Sequence, residues 1–115
     1  VDLLGADVAG CCSPLTGEVL SDAAAEQLSR VFKALADPTR VKLVSLIAAA
    51  GPDGACVCDL VGPVRLSQPT VSHHMRQLVE AGLITREQRG KWAYYRLVEG
   101  AFASASRALN PDPAT

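Results

Sequence analysis

At 115 residues the chain has room for one domain and little space for a second core. Two copies sharing a dimer core would help so short a chain to bury its apolar surface. A formal net charge of −1 argues against a nucleic-acid binder when taken over the whole chain, and no apolar run approaches the ~18 residues of a membrane span.

The charge is segregated, however. Residues 65–96 carry Arg65, Arg76, Arg86, Arg89, Lys91 and Arg96 against Glu80 and Glu87, whereas residues 1–26 carry Asp2, Asp7, Glu18, Asp22 and Glu26 with no Lys or Arg. The first residues lack the basic start and apolar run of a signal peptide, so a cytoplasmic protein is expected. In that compartment clustered thiols more often mean metal or redox chemistry than disulfide staples.

Residues 1–20, with Gly5, Gly10, Pro14 and Gly17 and no clear periodicity, read as an irregular arm. Ser21 then caps a helix through Ala36, whose apolar stripe is Leu28, Val31, Phe32 and Leu35. Asp37-Pro38 ends it and starts a second helix carrying Val41, Leu43, Val44, Leu46 and Ile47, which stops at Gly51-Pro52-Asp53-Gly54. A short third helix is predicted around Cys56–Val61, closed by Gly62-Pro63.

The next helix is the most informative stretch. Ser67 is its N-cap, Gln68 and Pro69 lie in its first turn, and Gly82 stops it. Val71, Met75, Leu78 and Val79 make one face; Thr70, His73, Arg76 and Gln77 make the other, with Ser72 at its edge. Hydroxyl, imidazole, amide and guanidinium groups read base edges and phosphates in a major groove, whereas a merely solvated face would carry Glu/Lys ladders. After it, Leu83–Val98 alternates as a β-hairpin turning at Gly90-Lys91. The tip residues Arg89 and Lys91 suit phosphates or a minor groove, and Trp92, Tyr94 and Tyr95 are assigned to core and interface. Residues 100–109 form a last helix with Phe102 and Leu109 on its apolar side, ended by Asn110-Pro111. The order predicts a mainly α fold with a two-stranded β-hairpin wing: a winged helix-turn-helix domain over 21–109, an arm over 1–20 and a tail over 110–115. The first and last helices are its natural homodimer surface. The DNA-reading residues expected are Ser67, Gln68, Thr70, Ser72, His73, Arg76, Arg89 and Lys91.

The four cysteines fall in two close pairs, Cys11-Cys12 and Cys56-Val57-Cys58. Thiolates select soft ions such as arsenic(III), antimony(III), cadmium, lead, copper(I) and zinc, and neither spacing is that of a zinc finger. In a regular helix residues i and i+2 project about 200° apart and cannot face one ion. Either the start of the third helix is irregular, or one of Cys56 and Cys58 binds together with Cys11 and Cys12. Both routes pull on the helix that precedes the DNA-reading one.

Lys33-Ala-Leu-Ala-Asp-Pro-Thr-Arg40, Ala55-Cys-Val-Cys-Asp-Leu60, Ser67-Gln-Pro-Thr-Val-Ser-His-His74 and Tyr94-Tyr-Arg-Leu97 resemble the ArsR/SmtB family of metalloregulatory repressors over residues 24–108. The resemblance implies a homodimer that leaves its double-stranded operator when a metal or metalloid binds. It places Cys56 and Cys58 as the principal thiolates of a third-helix arsenic(III) site, with Val61 where some members carry a third cysteine. Cys11-Cys12 is similar to N-terminal cysteines that other members bring to the partner's third helix. The last helix lacks the His and Cys of the zinc-type site found in some members. The expected effector is As(III) or Sb(III), with no required cofactor and no membrane partner. Alternatives are a Cd(II)- or Pb(II)-responsive repressor, a thiol-redox switch, and a small thiol-dependent arsenate reductase. For the last, neither an acid–base partner near the cysteines nor a phosphate loop is visible. A copper or zinc carrier would leave the helix-turn-helix without a role.

Overall fold

Side-chain caps set the first two helices. The computed structural model describes residues 19–110, and within them Ser21 accepts a hydrogen bond from the Ala24 N–H at 3.1 Å to begin α1 (Asp22–Leu35). Asp37 does the same for α2 (Pro38–Ala50), its Oδ1 accepting from the Thr39 and Arg40 N–H groups at 2.8 and 3.2 Å, with Pro38 in the first turn. The Arg40 N–H, ahead of the Thr39 N–H and the charges of Arg40 and His74, holds the Asp37 carboxyl below its ordinary value despite partial desolvation. A lowered carboxyl stabilises the fold fully above its unfolded value and loses that contribution as pH falls through the folded one. Asp37→Asn keeps a capping oxygen but removes the charge. Its melting temperature is therefore expected to lie below wild type at neutral pH and to converge on it at about pH 2; a gap unchanged by acid would show that the charge contributes nothing.

The helix-turn-helix follows. β1 (Ala55–Cys56) leads directly into α3 (Val57–Val64), and α4 (Gln68–Glu80) comes three residues later. The sequence-predicted closure of the third helix at Gly62-Pro63 is corrected: both residues lie within or at the last turn, and the end comes at Arg65. Arg65 takes the left-handed conformation at φ 59°, its N–H reaching the Val61 and Gly62 carbonyls. Only one hydrogen bond is lost at Pro63, on an exposed turn, so the proline does not break the helix. In α4, Ser67 accepts from the Thr70 N–H, and Val71, Met75 and Leu78 are completely buried.

β2 (Ile84–Arg89) and β3 (Trp92–Leu97) form the hairpin, and α5 (Glu99–Leu109) closes the described chain. Gly90 has φ 62° at the first central position of the two-residue turn, a geometry that favours glycine. The expected two-stranded wing is a three-stranded sheet in the order β1-β3-β2, because Ala55 and Cys56 pair antiparallel with Tyr95 and Tyr94. Two residues are too few for an alternating pattern to announce them. Gly54 makes that approach feasible: at φ 88°, a Cβ here would stand 2.8 Å from the Tyr95 carbonyl oxygen. Gly54→Ala is expected to cost about 2–3 kcal/mol from the backbone conformation and the clash together. Urea unfolding measures it, and a loss below about 0.5 kcal/mol would mean that β1 is not held against β3.

The core gathers Val31, Leu43, Ile47, Leu60, Met75, Leu78, Leu83 and Tyr95 from the helices and the sheet. Val41, one of the apolar residues of α2, is 52% exposed, since it lies two residues from Leu43 and so points the other way. Phe32 and Leu35 of α1 and Phe102 of α5 are only half covered, and Leu109 is exposed.

Candidate nucleic-acid interface and thiol site

The outer face of α4 and the wing enclose a groove of about 410 Å³. Gln68, Ser72 and Arg76 line it from the helix, and Arg86, Gln88, Lys91 and Trp92 from the hairpin, with no acidic residue among its walls. His73 and Arg76 are exposed, as a DNA-reading face requires. Ser67 and Thr70 are exposed but already engaged. Ser67 Oγ donates to Thr70 Oγ1 at 3.0 Å, so these two hydroxyls act first as the cap that points the helix start outward. His74, the second histidine, turns inward, its Nδ1 3.2 Å from Arg40 Nη1, while Arg40 Nε donates to the Ala34 carbonyl at 2.6 Å. The pair ties α4 to the α1–α2 corner.

The wing divides its cations between two duties. Arg89, expected to contact DNA, donates to Glu87 Oε1 at 2.9 and 3.0 Å and to the Asp53 carbonyl at 2.9 Å, and stacks 4.2 Å from the Tyr94 ring. It pins the hairpin to the loop before β1. Lys91 is exposed at the tip, without a partner among the described residues, and lines the groove. Arg86 was not singled out by sequence. Among the described residues its guanidinium donates only to the neutral Gln88 at 2.7 Å, so its charge remains for an anion. Strand alternation could have found it: Arg86 and Gln88 pair with Tyr95 and Ala93, the two residues of β3 whose side chains face the domain. Trp92, assigned to core and interface, is corrected to a groove-lining residue, 41% exposed at the hairpin end; Tyr95 is buried as expected and Tyr94 half buried beneath Arg89.

At the junction of β1 and α3 Cys56 and Cys58 meet. Cys56 is not helical: it caps α3 from an extended conformation (φ −71°, ψ 140°), so Cys58 in the first turn folds back toward it. The Cα atoms are 5.2 Å apart and the sulfurs are in contact as a disulfide. The 200° argument therefore does not apply, because the pair straddles a strand–helix junction. Cys56 Sγ also accepts the Cys58 N–H at 3.3 Å, as the side-chain cap of the helix start. Cys56 is buried, Cys58 exposed, and Asp59 brings a carboxylate oxygen into the same cluster. Val57, between the cysteines, lines the groove from below. Cys11 and Cys12 lie outside the described residues.

A helix-turn-helix whose second helix and following hairpin wall an acid-free cationic groove defines a winged helix-turn-helix regulator of transcription. The family described as "Bacterial regulatory protein, arsR family" matches over residues 37–86. The arsenical resistance operon repressor of Escherichia coli is 44% identical over 81 residues, spanning 70% of this chain and 68% of that protein. The chain belongs to the ArsR family. It spans about half the length of another relative, the arsenic resistance regulator ArsR1 of Pseudomonas putida, at 49% identity. Among solved structures, the AntR antimony-specific transcriptional repressor superposes with a TM-score of 0.66 at 28% identity, covering 81% of this chain and 79% of its own. A homodimeric winged helix-turn-helix DNA-binding domain from Mycobacterium bovis gives 0.63 at 28% identity, covering 81% and 85%. These proteins are regulators, not enzymes, and no described helix is long and apolar enough to cross a membrane.

Proposed function

We propose that the protein is a metalloid-responsive repressor: a homodimer that holds operator DNA in the α4–wing groove and releases it when As(III) or Sb(III) is bound by Cys56 and Cys58 in their reduced form. One observation carries this reading. The two sulfurs converge at a junction whose intervening residue, Val57, is part of the groove and whose strand is paired to the wing. A ligand that spreads the sulfurs shifts β1 against β3 and the start of α3 beneath α4, changing the angle between helix and wing. The names of the E. coli and P. putida relatives and of AntR support a metalloid over Cd(II) or Pb(II). The half-covered Phe32, Leu35 and Phe102 and the exposed Leu109 are the proposed dimer surface, in line with the M. bovis homodimer.

Cys11 and Cys12 are proposed to deliver a third thiolate from the arm, within or across the dimer. An operator gel shift with arsenite, cadmium and peroxide in parallel tests the whole reading, with release expected at the lowest concentration for arsenite. Release by cadmium alone would replace the effector. The contact between the sulfurs favours a second reading, a thiol-redox switch, which release by peroxide and reversal by a reductant would select.

A further inference from the structure

Asp59 is the third ligand-bearing group at the strand–helix junction. Its carboxylate oxygen and the two sulfurs all lie within 4.8 Å of one another, close enough to share one small ligand. The side chain is exposed and accepts no hydrogen bond from the described residues, although it sits in the first turn of α3. The groups that meet here are therefore two soft donors and one hard acceptor.

Arsenous acid carries three hydroxyls. When two thiols bind it, two S–As bonds form and two As–O bonds break, each hydroxyl leaving as water with one thiol proton. Arsenic stays trivalent and keeps its third hydroxyl. We infer that Asp59 is the oxygen-side partner of the bound metalloid, its carboxylate accepting the hydrogen bond of that remaining As–OH. This rests on the assignment of Cys56 and Cys58 as the effector thiolates. A hydrogen bond from O–H to a carboxylate is short and strong, so it selects an inorganic, hydroxyl-bearing metalloid over an organic one of the same thiol affinity. It also holds the hydroxyl that an arm thiol must displace to complete a three-thiolate complex.

The plain alternative is that an acid in the first helical turn only complements the helix dipole. Arsenite and phenylarsine oxide separate the two, because in the latter a carbon-bound ring occupies the third position and no hydroxyl remains once two thiolates have bound. Binding of each is measured on the reduced 115-residue chain carrying Cys11→Ser and Cys12→Ser, with and without Asp59→Ala; Asp59→Asn, which keeps an acceptor without the charge, should fall between. The expected result is about a tenfold loss of arsenite affinity with phenylarsine oxide unchanged. Equal losses for both arsenicals would make Asp59 a structural helix-end residue and overturn the inference, as would no loss for either. If neither arsenical binds while Asp59 is intact, the thiol site itself is wrong.

Discussion

Cys56→Ser and Cys58→Ser are each expected to leave operator binding within a factor of a few and to abolish its release by arsenite. The fold should survive both changes. Cys56 caps α3 through its side chain, and serine is a better N-cap than cysteine; Cys58 is exposed. The effector site should not survive either change, because a hydroxyl does not replace a thiolate toward a soft ion. Moving a repressor from mostly bound to mostly free, 99:1 to 1:99, needs a differential of about 5.5 kcal/mol between the two states, and a junction left with one of its two thiolates is not expected to supply it. Fluorescence anisotropy of labelled operator during an arsenite titration measures this directly. Either variant releasing at the wild-type arsenite concentration would remove the pair from the sensor.

Arg76→Ala and Arg86→Ala together are expected to weaken operator binding roughly 100-fold, about 1.4 kcal/mol for each cation. The two guanidiniums line one groove from opposite walls, where no acid opposes them. If they bind phosphates, every sequence should weaken alike and the salt dependence should flatten by about one unit per cation. Ser72 and His73 should instead change the preferred sequence. Arg89→Ala provides the contrast: its guanidinium is committed to Glu87, Asp53 and Tyr94, so its removal should loosen the wing more than it flattens the salt slope. Binding measured over a salt series for the three variants tests the division. An Arg89 slope change equal to that of Arg86 would contradict it.

The caps and stripes were readable because they are local. Ser21, Asp37 and Ser67 announce helix starts through their own side chains, and the Val71, Met75, Leu78 spacing needs no knowledge of the partner. The hairpin was readable for the same reason. What escaped depends on tertiary pairing. β1 exists only because Tyr94 and Tyr95 lie alongside it, so the geometry of Cys56 and Cys58 could not be derived from helical periodicity. Arg86 and Arg89 are three residues apart on one strand and look alike in sequence; the register with β3 and the Asp53 carbonyl give them different work. Trp92 reads as apolar core, yet stands at the end of a hairpin where the domain no longer covers it.

Linkage between the two sites is the core of the proposed switch. Because coupling is reciprocal, operator must weaken arsenite binding by the same factor by which arsenite weakens operator binding. Calorimetric titration of arsenite into the reduced protein, free and saturated with operator, measures that factor, and anisotropy supplies its counterpart. The expected result is a weaker arsenite affinity in the presence of DNA, by a factor equal to the loss of operator affinity. Identical arsenite affinities with and without operator would contradict any coupling between the Cys56–Cys58 junction and the α4–wing groove.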